Sequence, residues 1–198
     1  DPKEIKLLKE AMVNSAKATG AYFDLQPGDC SLLCLPTRYI AGKLMFIRAI
    51  VLGLHLDFVN PTSNPLLENN KNYDFVAMVP LQVINSLSKL NNIKKVIIGG
   101  AKLDQSIKDE ILKTKCQAYE TYGMTETITH IAAKPISESF FTALPHAKIS
   151  ADERGCLVIN VPTVNSEIIV TNDLVELNGL TQFKWLGRVD NVINSGGI

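Results

Sequence analysis

The sequence reads as an α/β protein, a mixed sheet with helices plus an antiparallel strand-rich unit. Three observations lead there. Short β-branched runs alternate with helical patterns between residues 30 and 119. The run at 94–98 ends in Gly99-Gly100-Ala101 and is followed by a helix opening at Asp104, the order that places a ligand at the carboxyl end of a sheet. After Glu126 the helical patterns give way to short strands separated by turns.

The elements follow in order. Residues 4–21 form an amphipathic helix, with Ile5, Leu8, Met12, Ala16 and Thr19 at three- and four-residue steps and Gly20 as its cap. Gln26-Pro27-Gly28-Asp29 is a turn, and 30–35 is an apolar strand ended by Pro36. Residues 42–53 read as a buried helix, 55–59 as a strand, and 60–65 as a loop of turn-favouring residues. A strand at 74–79 precedes a helix at 80–90 with proline in its first turn. Asp104 caps the helix 105–113, and 116–119 is a strand. The strands of the last part are 129–133, 140–144, 147–149, 156–161, 168–170, 174–177 and 183–186.

Composition narrows the function. The 198 residues suffice for one domain with a sizeable core, or one and a part, and 46% apolar content is ordinary for a globular chain. A formal net charge of +0 supplies no global field for nucleic acid or an anionic membrane. Cys30, Cys34, Cys116 and Cys156 form no Cys-x-x-Cys pair and only three histidines are present, which argues against zinc. Reduced thiols in the cytoplasm are the simplest account of those cysteines. Arg48 and Asp57 interrupt the most apolar region, 44–59, so no membrane span is expected, and the charged start does not read as a secretory signal.

The densest chemistry lies in Glu120-Thr121-Tyr122-Gly123-Met124-Thr125-Glu126-Thr127. Tyr122 offers a flat face to a base, and Gly123 lets the backbone approach a ligand or turn sharply. Thr125 can donate to a phosphate oxygen, and Glu126 can hold a hard cation such as Mg²⁺. A polar turn between strands is the plainer alternative. Arg48 also stands out, because a guanidinium inside an apolar helix needs a partner. An internal carboxylate would serve, and so would a carboxylate of a substrate, with Lys43 as a second cation for that task.

The hexapeptide Tyr122 to Thr127 resembles the signature of the adenylate-forming (AMP-binding, acyl-CoA synthetase-like) superfamily. The string continued through Ile128-Thr129-His130-Ile131-Ala132 is most similar to the o-succinylbenzoate–CoA ligases of menaquinone biosynthesis. The resemblance implies that Tyr122 stacks on adenine, Thr125 meets the α-phosphate and Glu126 binds Mg²⁺, and that the Gly99, Gly100 and Ala101 backbone lies along the adenine. Thr171-Asn172-Asp173 resembles a Thr/Ser-Gly-Asp whose aspartate accepts the ribose hydroxyls; asparagine tolerates left-handed backbone as glycine does. Leu186-Gly187-Arg188-Val189-Asp190 resembles a hinge, with Arg188 reaching the ribose and Asp190 as the pivot. Pro2-Lys3 fits the tail of a phosphate loop, with Lys3 as a point charge on phosphate. Tyr39 falls where the family has an aromatic or histidine walling the acyl pocket, and His130 would line the same pocket; a packing tyrosine and a hydrogen-bonded strand histidine are the alternatives.

What the resemblance implies is the large N-terminal domain portion of an adenylate-forming ligase. Its parts would be an AMP-binding subdomain at 1–128, a β-rich subdomain at 129–186 and a hinge at 187–198, with the C-terminal lid absent. The expected reaction joins ATP and a carboxylic acid into an acyl-adenylate, then transfers the acyl group to coenzyme A, in a cytoplasmic enzyme that could be a homo-oligomer. Alternatives are another acyl- or aryl-CoA ligase, a non-catalytic nucleotide-binding fragment, or an unrelated α/β domain.

Overall fold

The alternation of strand and helix builds one half of a single eleven-stranded sheet. The computed structural model describes residues 7–190. The elements are α1 (Lys9–Phe23), β1 (Cys30–Leu33), α2 (Ile40–Leu52), β2 (His55–Phe58), β3 (Tyr73–Met78), α3 (Pro80–Asn85), β4 (Ile93–Ile98), α4 (Gln105–Leu112) and β5 (Gln117–Gly123). They continue as β6 (His130–Pro135), β7 (Phe141–Ala143), β8 (Lys148–Ala151), β9 (Cys156–Asn160), β10 (Ile169–Asn178) and β11 (Gln182–Arg188). The strand order is β2-β1-β3-β4-β5-β6-β7-β11-β10-β9-β8.

Strands β2 to β5 pair in parallel. From β5·β6 onward every pairing is antiparallel. The reason is in the connections. Before β5 each parallel step has a long crossover, whereas most later neighbours are joined by short turns that favour antiparallel return, and β11 comes back beside β7 after three intervening strands. The signature therefore sits where the pairing changes, on the last parallel strand.

Two apolar cores share the sheet. One gathers Leu32, Phe75, Met78, Val96 and Ile98 from the parallel half, and the other gathers Ile131, Leu157, Ile159 and Phe183 from the antiparallel half. Helix α2 joins them, with Met45 in the first and Leu44 in the second.

Several boundaries differ from expectation. Gly20 does not cap α1; it lies buried within the helix, where an added Cβ would stand 2.7 Å from Leu52 Cδ2, so its small size lets α1 meet α2. The cap is Asp24, in the left-handed region at φ 49°. Asp104 occupies the N-cap position of α4, but its side chain makes no capping bond. The helix expected at 80–90 is α3 followed by a 3₁₀ turn at Leu87–Asn92. Two separate strands expected at 168–170 and 174–177 are one strand, β10, with an irregular register between Val170 and Leu174. Asn172 lies within β10 and is not among the residues with positive φ, so left-handed backbone does not explain it. Pro2, Lys3, the start of the first expected helix and residues 191–198 lie outside the described residues.

Candidate functional site

The carboxyl ends of four parallel strands open onto one cavity of about 370 Å³. Leu35 and Pro36 follow β1, Met78 ends β3 and Val79 follows it, Gly99 and Gly100 follow β4, and Thr121 and Gly123 end β5. This is the position at which open α/β sheets bind ligands. Helix α2 covers it with Tyr39 and Arg48, and the first residues of the antiparallel half, Thr129 and His130, complete the wall. A larger, open groove of about 920 Å³ runs along edge strand β2, but holds no member of the signature.

Close backbone approach shapes the cavity. A Cβ at Gly123 would stand 2.3 Å from Thr129 O and 2.5 Å from His130 Cα, so only glycine lets β5 and β6 close there. A Cβ at Gly42 would stand 2.4 Å from Pro36 O, so α2 can start directly over the end of β1. Gly100 has φ +90°, which favours glycine on conformational grounds alone.

After Gly123 the chain tightens into a 3₁₀ turn at Thr125–Thr127. Thr127 Oγ1 accepts from Met124 N at 2.9 Å and lies 2.6 Å from Thr129 O. Ile128 follows at φ 67°, ψ −55°, and Thr129 N donates to Thr127 O across it at 2.7 Å. That is a γ-turn with positive φ, a strained conformation costing about 1–3 kcal/mol for a side-chain-bearing residue. Ile128 is buried in the second core, and this packing offsets the strain and holds Thr125 and Glu126 on a fixed turn.

Arg48 is the electrostatic centre of the cavity. It is 1% exposed, yet no carboxylate pairs with it among the described residues. Nη2 donates to Thr129 Oγ1 at 3.2 Å and Nη1 reaches Met45 Sδ at 3.6 Å, while buried Nε has no partner. Burial pushes the guanidinium down to about 10, so it remains charged at neutral pH. The internal carboxylate offered as one explanation of Arg48 is absent among the described residues. Lys43 does not serve the cavity either; it lies on the exposed side of α2, away from the lining. His130 is buried on the same wall and is kept neutral, first by burial, then by the nearby Arg48 charge and by His146.

The expected site residues divide into two groups. Tyr39, Arg48, Gly99, Gly100, Gly123, Thr125 and His130 line the cavity. Tyr122 does not, because alternation along β5 turns its ring to the opposite face from Thr121 and Gly123. There it meets Phe183 edge-on at 5.2 Å, and its hydroxyl donates to Asp173 Oδ2 at 2.5 Å. Asp173 is buried and also accepts from Trp185 Nε1 at 3.0 Å, with Arg188 Nη1 at 3.9 Å. Arg188 in turn donates to Asp190 at 2.8 and 2.6 Å. Tyr122, Asp173, Arg188 and Asp190 thus form a second, continuous cluster, joined to the cavity through the Tyr122–Gly123 backbone. Ala101 and Glu126 lie beside the cavity on the loops that bear Gly100 and Thr125, without lining it. Lys3 lies outside the described residues.

Sequence reasoning missed one buried group. Glu120 takes Lys108 Nζ at 2.6 Å and Lys134 Nζ at 2.8 Å on the same oxygen. Burial alone would raise its carboxyl, but the two lysine hydrogen bonds outweigh burial and hold it below the ordinary range. Its other oxygen stands 3.4 Å from Leu103 N, on the loop that carries Gly99 to Ala101. The signal was present as a charged residue at an inward-facing strand position, but its partners come from α4 and β6, and no spacing links them.

The family model for AMP-binding enzymes matches residues 1–173. The chain belongs to the AMP-binding enzyme family. Among curated relatives, 2-succinylbenzoate–CoA ligase of Staphylococcus aureus (strain MSSA476) is 25% identical over 161 residues, covering 77% of this chain and 30% of that protein. Among solved structures, an acyl-CoA synthetase (AMP-forming)/AMP-acid ligase II-like protein from Dyadobacter fermentans superposes with a TM-score of 0.88 at 39% identity, over 100% of this chain and 59% of its own. O-succinylbenzoate coenzyme A synthetase from Bacillus subtilis, in complex with ATP and magnesium ion, gives 0.84 at 17% identity, over 98% and 49%, a likeness of fold. This AMP-binding chain therefore spans about a third to three fifths of the length of these relatives.

Proposed function

We propose that this chain forms the acyl- and nucleotide-binding part of an acid–CoA ligase of the AMP-forming type, acting on o-succinylbenzoate in menaquinone biosynthesis. The observation that carries the reading is Arg48, buried in the cavity wall with no carboxylate partner among the described residues and one unmet donor. A lone buried cation is costly to keep, so a ligand that supplies the anion is the economical explanation. o-Succinylbenzoate carries two carboxylates and only one is activated; the other needs a cation. The curated relatives named for that acid support the choice.

In this reading the acid lies in the cavity, its free carboxylate toward Arg48, its ring between Tyr39 and His130. The nucleotide lies across the ends of β4 and β5, against Gly99, Gly100 and Ala101, with Asp173 and Arg188 assigned to its ribose, while Tyr122, packed on Phe183 behind the strand, backs the site instead of stacking on adenine. Thr125 holds the α-phosphate while a carboxylate oxygen displaces pyrophosphate; in the second step the CoA thiol displaces AMP. Lys3 neutralises phosphate charge as it develops. Glu126 would be the protein's own ligand to Mg²⁺, the rest coming from phosphate and water. Bound there, Mg²⁺ would neutralise charge on the transferring phosphate. The proposed division is 1–128, 129–186 and a hinge at 187–198 turning at Asp190, in a cytoplasmic protein. No helix among the described residues is long and apolar enough to cross a membrane.

The test is pyrophosphate release by the full-length protein with ATP, Mg²⁺ and a panel of acids. o-Succinylbenzoate should exceed benzoate and medium-chain fatty acids by at least about tenfold in kcat/KM, the value of one charge-assisted contact. A preference for a monocarboxylate would move the protein to another acyl- or aryl-CoA ligase. No release with any acid would favour a nucleotide-binding module without catalysis.

A further inference from the structure

The wall that carries Arg48 continues inward as a chain of hydroxyls and an imidazole whose direction can be read. Thr19 Oγ1 on α1 donates to Ser15 O at 3.0 Å. Its single proton is thereby used, and it offers only lone pairs to His130 Nε2 at 3.4 Å. Nε2 must then carry the proton. His130 is buried, faced by Arg48 from α2, by His146 from the turn before β8 and edge-on by the Phe23 ring at 6.0 Å. It is neutral there, so Nδ1 is an acceptor. Thr129 Oγ1, at 3.4 Å from Nδ1, must be the donor to it. Having spent its proton, Thr129 accepts from Arg48 Nη2 at 3.2 Å. One assignment satisfies every group in turn.

We propose that Thr19, His130 and Thr129 form a one-way hydrogen-bond relay that orients the Arg48 guanidinium, with Thr19 and His130 as positioning residues for acid recognition. The inference rests on Arg48 reading the acid's free carboxylate. The relay occupies Nη2, and Met45 Sδ occupies Nη1 at 3.6 Å. Nε is left buried and without a partner. Arg48 sits on α2 and Thr19 on α1, so the relay also ties the acid-binding cation to the packing of those two helices. Its 3.4 Å links are long, and each contributes modestly.

Thr19→Val keeps the shape and removes the hydroxyl. In the full-length protein it should raise the KM for o-succinylbenzoate about threefold, the equivalent of one weak hydrogen bond. The KM for ATP should move by less than about twofold, and Thr19→Ser should restore the acid KM. A structural defect would shift both substrates alike and would not be rescued by serine; that pattern overturns the relay. If Arg48→Ala raises the acid KM while Thr19→Val does not, the relay is wrong and the reading of Arg48 stands. If Arg48→Ala leaves the acid KM unchanged, the reading itself falls. Should Thr19→Val fail to fold, ¹⁵N NMR of the unaltered protein at neutral pH decides. A neutral Nε2–H tautomer for His130 supports the relay, and an Nδ1–H tautomer or an imidazolium overturns it.

Discussion

The hydroxyl of Tyr122 stands 2.5 Å from Oδ2 of Asp173, tying the last parallel strand of the sheet to β10 far along the chain. The contact lies on the opposite face from the cavity, and it links the signature to the Asp173–Arg188–Asp190 cluster. Burial, and then the Asp173 carboxylate, raise the Tyr122 hydroxyl well above its ordinary range, so it stays a donor at neutral pH.

Tyr122→Phe should therefore destabilise the protein by about 1–3 kcal/mol, because it strips a donor from a buried carboxylate. Chemical denaturation of both proteins measures this. A change within experimental error would mean that Trp185 and Arg188 satisfy Asp173 by themselves.

Glu120→Gln should cost about 3–5 kcal/mol, the loss expected when one partner leaves a buried ionic group. Two ammoniums, Lys108 and Lys134, would then face each other without a counter-charge. Lys108→Met should restore part of the loss in the double variant, and a double-mutant cycle in urea gives the coupling.

Arg48→Met should act in the reverse sense on stability. It removes a buried charge with no carboxylate partner and should stabilise the fold by about 1–4 kcal/mol. The same change should cripple selection of a dicarboxylic acid. A melting temperature paired with an acid KM tests both; a destabilised variant would show that Arg48 is a structural group.

Stability should fall on mild acidification. His130 is depressed in the folded state by burial, by Arg48 and by His146, and His146 is itself depressed by burial. The unfolded chain then binds more protons, so the contribution is complete above the unfolded value near 6.5 and is lost as pH drops below it. Each such group gives a slope of up to about 1.4 kcal/mol per pH unit. Denaturation between pH 7.5 and 5.5 should show the fall, and His130→Gln should flatten it.

How much of this was legible depended on range. The alternation of β-branched runs and helices gave the parallel half, because period and turn residues are local. Gly99-Gly100 and Tyr122 to Thr127 were visible as a motif, and the cavity brings Gly100 and Thr125 together. The side of the strand was not foreseen: Thr121 and Gly123 face the cavity while Tyr122 faces Phe183, because the motif continues β5 instead of following it. Gly20 looked like a helix end, yet its role is set by Leu52 on another helix. Arg48 was conspicuous as a charge in an apolar run; only the folded chain shows that no carboxylate meets it among the described residues. Lys43, on the first turn of α2, faces out for the same helical reason that Leu44 faces in.

The most direct measurement is a crystal structure of the full-length protein with an o-succinylbenzoyl-adenylate mimic in which a sulfamate replaces the reactive phosphate. The account predicts adenine against Gly99–Ala101, the linker at Thr125, and the free carboxylate within hydrogen-bonding distance of the Arg48 guanidinium. A ligand seated in the groove along β2, or a carboxylate turned away from Arg48, would contradict it.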